Sequence, residues 1–286
     1  MFTCQRRRHS RKPSFRLWRI SSALCAKLGK VMGLFDDVGA LAGQVVLVTG
    51  AGNGVGRAAA LLAASRGATV LCVDRDEASM LETVGLIETA GRGVAHYRIA
   101  EITSEADISR AIDQLVSLAG GTLDAVLHVA GIMRGQRVPL SELTLDTWTE
   151  VIVTNLTGAF LVSKYALAKM DPQRVGVVVL VASRSGITVP SGSLAYGASK
   201  GGIHGYAMSL EKQLSNTSIR VHTVCPGDVD TPLMRKSLED ALDNGADPAE
   251  IAKIRQSLGT AEEIASVLVH LIDPAAWGFS GTVMAG

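Results

Sequence analysis

Cysteine, aromatic residues and long apolar runs are all scarce in this chain of 286 residues. Its 4 Cys include no C-x-x-C pair, so the sequence predicts neither a disulfide framework nor a metal site. Aromatic residues make up 4% of the chain, too few for a surface that stacks on nucleic-acid bases. No run of about 18 uncharged apolar residues is present, so no integral membrane segment is expected. A content of 47% hydrophobic residues excludes a disordered chain.

Acidic residues are absent from the N-terminal segment, residues 1–31, which contains nine Lys or Arg residues. The rest of the chain therefore carries a net charge of −8, although the whole chain is at +1. A mildly acidic body disfavours nucleic acid as its partner. No linker, internal repeat or charge block divides residues 32–286, so we expect a single domain there.

Three interpretations of residues 1–31 remain open. Residues 15–32 are amphipathic when drawn as a helix, and an Arg-rich, Ser-containing segment without acids is typical of a mitochondrial transit peptide. The same pattern also fits a helix lying on a membrane surface. A third hypothesis is that translation begins at Met32 and that residues 1–31 are a gene-model extension or a disordered tail. We expect a cytoplasmic protein, or a mitochondrial-matrix protein if the transit peptide is genuine.

Short apolar runs alternate with longer amphipathic segments throughout the body of the chain. The expected strands are 45–48, 69–73, 94–99, 125–129, 175–181, 220–224 and 282–284. The expected helices are 56–66, 77–90, 106–119, 144–169, 196–215 and 261–272. Continuous apolar strands separated by helices are typical of a parallel sheet covered on both faces. The sequence therefore predicts an α/β fold, a single doubly wound Rossmann-type domain with a mostly parallel seven-stranded sheet.

A glycine-rich turn, T-G-A-G-N-G-V-G, follows the first of these strands and precedes a helix. Glycines at such a turn let backbone N–H groups approach a pyrophosphate at the helix N-terminus. Strand, turn and helix in this order indicate a dinucleotide-binding site. The expected cofactor-binding residues of the turn are Gly50, Asn53, Gly54, Val55 and Gly56.

The second expected strand is followed by Asp74, a residue that bears on which dinucleotide binds. A carboxylate there accepts hydrogen bonds from the ribose hydroxyls of adenosine and repels a 2′-phosphate. This favours NAD over NADP as the cofactor. The neighbouring Arg75 keeps NADP open, because a guanidinium can accommodate that phosphate.

Tyr196 and Lys200 are spaced i and i+4 on one expected helix, so they lie on the same face one turn apart. A phenol is a poor base at neutral pH, and a nearby ammonium group stabilises the phenolate. Upstream, at the end of an expected strand, Ser183 offers a hydroxyl that could hold a substrate oxygen. These three residues are candidates for proton transfer to a substrate.

Together, the T-G-x-x-x-G-x-G turn and the Y-x-x-x-K pair resemble the short-chain dehydrogenase/reductase family, in its branch of about 250 residues. The resemblance covers nearly all of residues 41–286. It implies that Tyr196 is the general acid/base and that Lys200 binds the nicotinamide ribose and lowers the Tyr196 pKa. It also implies that Ser183 orients the substrate and that Asn155 completes the set through a water bound near Lys200.

Further site residues follow from the resemblance alone. The implied cofactor-binding residues are Glu101, Ile102, Ala130, Gly131, Pro226, Gly227, Val229 and Thr231. The implied substrate-pocket residues are Ser183, Arg184, Met133, Leu233 and Met234, in part from a substrate loop over 233–258. One departure stands out, since the family's usual Asn-Asn-Ala-Gly is replaced by His128-Val129-Ala130-Gly131. His128 is expected to be a structural histidine and not a base.

The function expected from the motifs is hydride transfer between NAD(H) and a hydrophobic secondary alcohol or ketone. An NADPH-dependent 3-oxoacyl thioester reductase of the same family is the alternative enzyme. A non-catalytic, dinucleotide-binding regulatory protein is an alternative from another class, although it would not need the proton-transfer tyrosine. The resemblance also implies a homotetramer or homodimer.

Overall fold

Strands of this protein are apolar on both faces because helices cover both sides of one parallel sheet. The computed structural model describes residues 18–19, 39–91, 93–276, 278 and 280–286. The strands are β1 Trp18–Arg19, β2 Val45–Thr49, β3 Thr69–Asp74, β4 Val94–Ile99, β5 Ala125–His128, β6 Gly176–Val181, β7 Ile219–Pro226 and β8 Gly281–Ala285. Their order across the sheet is β1-β8-β7-β6-β5-β2-β3-β4, with every neighbouring pair parallel. The seven expected strands are confirmed.

An eighth strand extends the sheet beyond the expected seven. Trp18 and Arg19 pair in parallel with Val283 and Met284 of β8. These two residues are therefore extended, whereas the transit-peptide and membrane-surface hypotheses draw residues 15–32 as a helix. The other residues of 15–32 lie outside the described residues.

Helices fill the connections between the strands. They are α1 Gly54–Ser65, α2 Glu77–Ala90, α3 Glu105–Leu118, α4 Leu145–Ile152, α5 Gly158–Leu167, α6 Leu194–Gln213, α7 Pro232–Asp243, α8 Pro248–Gln256 and α9 Ala261–Ile272. A π-helical turn, Val153–Thr157, joins α4 to α5, so the helix expected over 144–169 contains a local change of pitch. The expected substrate loop over 233–258 is folded into α7 and α8.

Two hydrophobic clusters lie on opposite faces of the sheet. In β2, Val46 and Val48 belong to one cluster and Leu47 to the other, because side chains alternate across a strand. The first cluster includes residues of α1, α2 and α9, and the second includes residues of α3, α5 and α6. Covering both faces in this way explains why the strands show continuous apolar runs and not alternation.

The strand order places a crevice between β2 and β5. From β2 the chain proceeds outward through β3 to β4, and from β5 it proceeds in the opposite direction through β6 and β7. Loops at the carboxyl ends of β2 and β5 therefore diverge, and ligands of such sheets bind at this divergence. The functional site is expected at this edge.

Candidate active site

A cavity of about 240 Å³ opens at the carboxyl ends of the central strands. Most of the residues expected from the sequence contribute to its walls. Those that line it are Gly50, Asn53, Gly54, Val55, Gly56, Asp74, Ala130, Gly131, Met133, Ser183, Tyr196, Lys200, Pro226, Gly227, Val229, Thr231, Leu233 and Met234. The fold thus brings the glycine-rich turn and the Tyr-Lys pair into one cavity.

The glycine-rich turn passes so close to other backbone that side chains are excluded. Gly50 has a φ of +69°, and a Cβ there would lie 2.8 Å from the Cα of Ala130. A Cβ on Gly56 would lie 2.0 Å from the carbonyl oxygen of Gly50. Asn53 is the N-cap of α1, and its side chain accepts no capping hydrogen bond. The helix N-terminus therefore faces the cavity as a cradle suited to a pyrophosphate.

Asp74 ends β3 with its carboxylate turned toward the glycine-rich turn. Its Oδ2 accepts a hydrogen bond from the N–H of Gly52 at 2.9 Å, and its Oδ1 accepts one from the N–H of Arg75 at 2.7 Å. These bonds hold the acid at the wall of the cavity. The Arg75 guanidinium lies 3.8 Å from the Glu101 carboxylate. Glu101 therefore faces Arg75 and does not line the cavity as expected.

The catalytic candidates come from β6 and the start of α6. Ser193 caps α6 by accepting a hydrogen bond from the N–H of Tyr196 at 3.2 Å. Lys200, one turn further, donates from Nζ to the carbonyl oxygen of Val181 at 2.8 Å. Ser183 follows β6 by two residues and lines the same cavity. A hydroxyl, a phenol and an ammonium group thus share one buried wall.

Burial is the largest influence on the pKa values of the Tyr-Lys pair. It raises the pKa of Tyr196 to about 12; the Asp228 charge adds to this rise, and the neighbouring Ser183 hydroxyl opposes it. Burial also lowers the pKa of Lys200 to about 8. Desolvation of the phenolate is the largest of these effects, and the lowering of the Tyr196 pKa by Lys200 stays a prediction. At neutral pH the pair is a neutral phenol and an ammonium ion.

Asn155 lies behind this wall and not on it. Its Oδ1 accepts a hydrogen bond from the N–H of Ile132 at 2.8 Å, and its Nδ2 donates to the carbonyl oxygen of Ile132 at 2.9 Å and to Ser199 Oγ at 2.9 Å. The π-helical turn directs this side chain between β5 and α6. A Cβ on Gly131 would lie 3.1 Å from Asn155 Oδ1 and 3.5 Å from Lys200 Nζ, so Asn155 and Lys200 flank the same glycine.

Two other expected site residues do not line the cavity. Ile102 is buried, and its side chain packs where a Cβ on Gly158 would lie, 2.9 Å from Ile102 Cδ1. The Arg184 guanidinium lies beside Gly227, 3.3 Å from the position of a Cβ there. Both positions were implied by the family resemblance, and their roles in binding stay predictions.

Several cavity residues were missed by the sequence analysis. Among them are Ser185, Pro232 and Asp228. Asp228 stands between two expected cofactor-binding residues, Gly227 and Val229, so its proximity to the site could have been inferred. Its role in the site could not be inferred in the same way.

His128 is a structural residue in this protein. Its Nδ1 lies 2.9 Å from Thr49 Oγ1 and ties β5 to β2 beside the glycine-rich turn. Burial, with a smaller contribution from the Lys200 charge, lowers the His128 pKa to about 3. The neutral, buried His128 ring therefore links β5 to β2, which is a structural role of the kind expected from the sequence.

Neither a metal site nor a membrane span is found in the described part of the chain. No group of three or more His, Cys, Asp or Glu side chains is placed to hold a metal ion among the described residues. Within the same residues, no helix is long and apolar enough to cross a bilayer.

Comparisons with known proteins agree with this site. The family model for short chain dehydrogenase matches residues 44–242. A 3-oxoacyl-(acyl-carrier-protein) reductase of Aquifex aeolicus is 32% identical over 248 residues, which cover 85% of this chain and 96% of the relative. A 3beta-hydroxysteroid dehydrogenase of Mediterraneibacter gnavus is 30% identical over 274 residues, covering 90% of this chain and 96% of the relative.

A solved structure gives the same result for the fold. The crystal structure of levodione reductase superimposes with a TM-score of 0.79 at 28% identity, covering 85% of this chain and 96% of that one. The family match extends over more than half of the chain and includes the glycine-rich turn and the Tyr-Lys pair. The protein therefore belongs to the short-chain dehydrogenase/reductase family and is an oxidoreductase that acts on alcohol or keto groups with NAD(P).

Proposed function

We propose that this protein interconverts a hydrophobic secondary alcohol and its ketone with NAD(H). The observation that carries the proposal is the single cavity shared by the glycine-rich turn and by Ser183, Tyr196 and Lys200. A nicotinamide bound there supplies the hydride donor or acceptor. The protein contributes binding, orientation and proton transfer.

Each catalytic side chain has a separate task in the proposed reaction. Tyr196 donates its phenolic proton to the carbonyl oxygen in reduction and takes the hydroxyl proton in oxidation. Ser183 holds the same oxygen by a hydrogen bond, in a wall that Tyr196 also lines. The ammonium group of Lys200 binds the nicotinamide ribose and stabilises the phenolate when Tyr196 is deprotonated. Asn155 positions the Ile132 backbone next to Gly131, through the hydrogen bonds described above.

The preference for NAD rests on Asp74. Its residue lines the cavity, and its carboxylate accepts a hydrogen bond from the N–H of Gly52. The adenosine part of a bound dinucleotide would therefore contact this carboxylate. A 2′-phosphate placed there would face this negative charge, whereas ribose hydroxyls could donate hydrogen bonds to it. Arg75 lies 3.8 Å from Glu101, and this ion pair leaves the guanidinium less able to compensate for a phosphate.

Apolar side chains at the catalytic end support a hydrophobic substrate. Met133 packs with Tyr196 in one cluster, and Leu233 packs against that cluster. Met234 also lines the cavity from the first turn of α7. Such walls favour an uncharged alkyl or ring group next to the reacting carbon.

A 3-oxoacyl thioester reductase is the second candidate, because of the similarity to the reductase of Aquifex aeolicus. That function would require turnover of a 3-oxoacyl thioester, whereas the first requires turnover of simple ketones. A non-catalytic regulatory protein would reduce neither the thioester nor the ketones.

We further propose a homodimer or homotetramer, supported by the exposed apolar side chains Trp148, Phe160 and Met208 on α4, α5 and α6.

A substrate screen tests these proposals. Secondary alcohols, simple ketones and acetoacetyl thioesters are offered with NAD(H) and NADP(H), and the nicotinamide absorbance is followed. We expect turnover of hydrophobic ketones with NADH. Preferred turnover of the thioester with NADPH would replace the first proposal by the second, and no turnover of any compound would refute both enzymes.

A further inference from the structure

Asp228 places an unexpected negative charge at the catalytic end of the cavity. Four titratable side chains line this cavity, namely Asp74, Tyr196, Lys200 and Asp228. Asp74 belongs to the end formed by the glycine-rich turn, where it binds the N–H of Gly52. Asp228 lies near enough to Tyr196 for its charge to raise the pKa of that phenol. An acid and the proton-transfer tyrosine therefore line the same cavity, within electrostatic reach of each other.

The backbone around Asp228 is held from several directions. The carbonyl oxygen of Asp228 accepts a hydrogen bond from the N–H of Gly259 at 2.9 Å. On either side, Gly227 donates to the carbonyl oxygen of Ala285 at 2.8 Å and Asp230 donates to that of Gly259 at 2.9 Å. These bonds tie the segment after β7 to β8 and to the residues before α9. The position of the Asp228 backbone at the cavity wall is thus set by the fold.

The Asp228 carboxylate has no hydrogen-bond donor or ion-pair partner among the described residues. Asp230, two positions further, differs because both of its oxygens accept hydrogen bonds from Arg235, at 2.7 and 2.9 Å. Arg184 lies beside Gly227 but outside the cavity wall, and it forms no ion pair with Asp228. When a substrate displaces water from this end, an unpaired carboxylate loses solvation unless the substrate supplies a donor.

We propose that Asp228 selects substrates that carry a hydroxyl or ammonium donor next to the reacting carbon. A carbonyl compound held by Ser183 and Tyr196 would present its neighbouring substituent to this acid, while Met133 and Leu233 contact its apolar part. A carboxylate in the same place would face a like charge and bind weakly. The inference rests on the proposed function and narrows its substrate class to hydroxy- or amino-ketones and the corresponding alcohols.

A matched set of ketones isolates this contact. Propiophenone, 2-hydroxy-1-phenylethanone and 2-amino-1-phenylethanone differ only in a methyl, hydroxyl or ammonium group on the carbon next to the carbonyl. In phenylglyoxylate, a carboxylate takes the place of that carbon and its substituent. For the unmodified protein with NADH, we expect kcat/KM for the hydroxyl and ammonium compounds to exceed that for propiophenone at least about tenfold. Phenylglyoxylate should be the poorest of the four.

Two variants test whether Asp228 is the cause. Asp228→Asn keeps the size of the side chain but removes its charge, so the advantage of the ammonium compound over propiophenone should fall about tenfold and phenylglyoxylate should improve. Asp230→Asn is the control, since this acid is paired with Arg235 and lies outside the cavity wall. Equal kcat/KM for all three neutral or cationic ketones, or a preference that survives Asp228→Asn, overturns the proposal.

Binding measurements separate this proposal from the proposed function. Calorimetric titration of the same ketones into protein saturated with NAD+ requires no turnover. Donor-dependent binding that Asp228→Asn abolishes, without reduction of any ketone, supports the role of Asp228 while refuting the proposed reaction. Reduction of propiophenone with no donor preference in rate or binding refutes the role of Asp228 alone.

Discussion

The ammonium nitrogen of Lys200 lies 5.6 Å from the centroid of the Tyr196 ring, one helical turn away on α6. A hydrogen bond from the same nitrogen to the carbonyl oxygen of Val181 anchors Lys200 to the end of β6. Burial raises the pKa of Tyr196 to about 12 and lowers that of Lys200 to about 8. The pair therefore holds one proton on the phenol and a positive charge beside it at neutral pH, which suits carbonyl reduction.

Replacing Tyr196 by Phe should remove proton transfer while leaving the cavity walls in place. We expect kcat/KM to fall at least about a hundredfold, the scale of general acid–base catalysis. The shift in Tm on adding NAD+ should stay as in the unmodified protein. The matched control is Tyr165→Phe, whose exposed hydroxyl donates to Glu105 at 2.7 Å, away from the cavity. If Tyr196→Phe keeps its activity, the proton-transfer role is wrong.

Replacing Asp74 by Ser should change the cofactor preference. In the unmodified protein, NAD+ should raise the Tm more than NADP+ at equal concentration, because a ligand stabilises the native state according to its affinity. Removing the like charge should tighten NADP+ binding at least about tenfold. Glu77→Gln serves as a control, since this acid lies outside the cavity wall, in the first turn of α2. Tighter binding of NADP+ by the unmodified protein would contradict the role assigned to Asp74.

His128 should make the protein less stable in mild acid. Its pKa falls from 6.5 to about 3 in the folded state, so below pH 6.5 the unfolded chain binds a proton that the folded chain does not. The contribution of His128 to the free energy of unfolding is therefore fully present above pH 6.5 and is lost progressively as the pH falls toward 3. His128 alone should contribute a slope of about 1.4 kcal/mol per pH unit to the free energy of unfolding.

Urea unfolding of His128→Asn between pH 7 and pH 5 measures that contribution. The variant should show a shallower loss of stability than the unmodified protein, while the buried His222, with a pKa near 4, still contributes. Thr49→Val breaks the same 2.9 Å contact without removing the titrating ring, so it should lower stability but keep the slope. An unchanged slope in His128→Asn would show that this ring titrates normally.

Deleting residues 1–31 should leave catalysis intact, because the cavity residues that the structure describes all lie between Gly50 and Met234. The deletion removes the two-residue strand that pairs with Val283 and Met284, so Tm should fall by at most a few degrees. Activity and thermal unfolding of the shortened protein check this. Loss of folded protein would show that the segment contributes more to stability than one short edge strand does.

Local spacing in the sequence was enough to predict the sheet, the glycine-rich turn and the Tyr-Lys pair. Two residues four positions apart on a helix must share a face, and the turn after Thr49 needs glycines because backbone approaches backbone there. His128 was likewise predicted to be structural from its place at the end of a strand. These features depend on neighbours along the chain, and the sequence contains those neighbours.

Only the tertiary structure decided where the loop side chains point. Glu101, Ile102 and Arg184 were expected at the site, yet Glu101 pairs with Arg75 and Ile102 packs against Gly158. Asp228 was passed over, yet it lines the cavity beside Tyr196. The course of such a loop depends on contacts between segments far apart in the chain, such as the backbone hydrogen bond from Gly259 to Asp228. The sequence by itself determined the family chemistry, and the packing of the loops determined which residues meet the substrate.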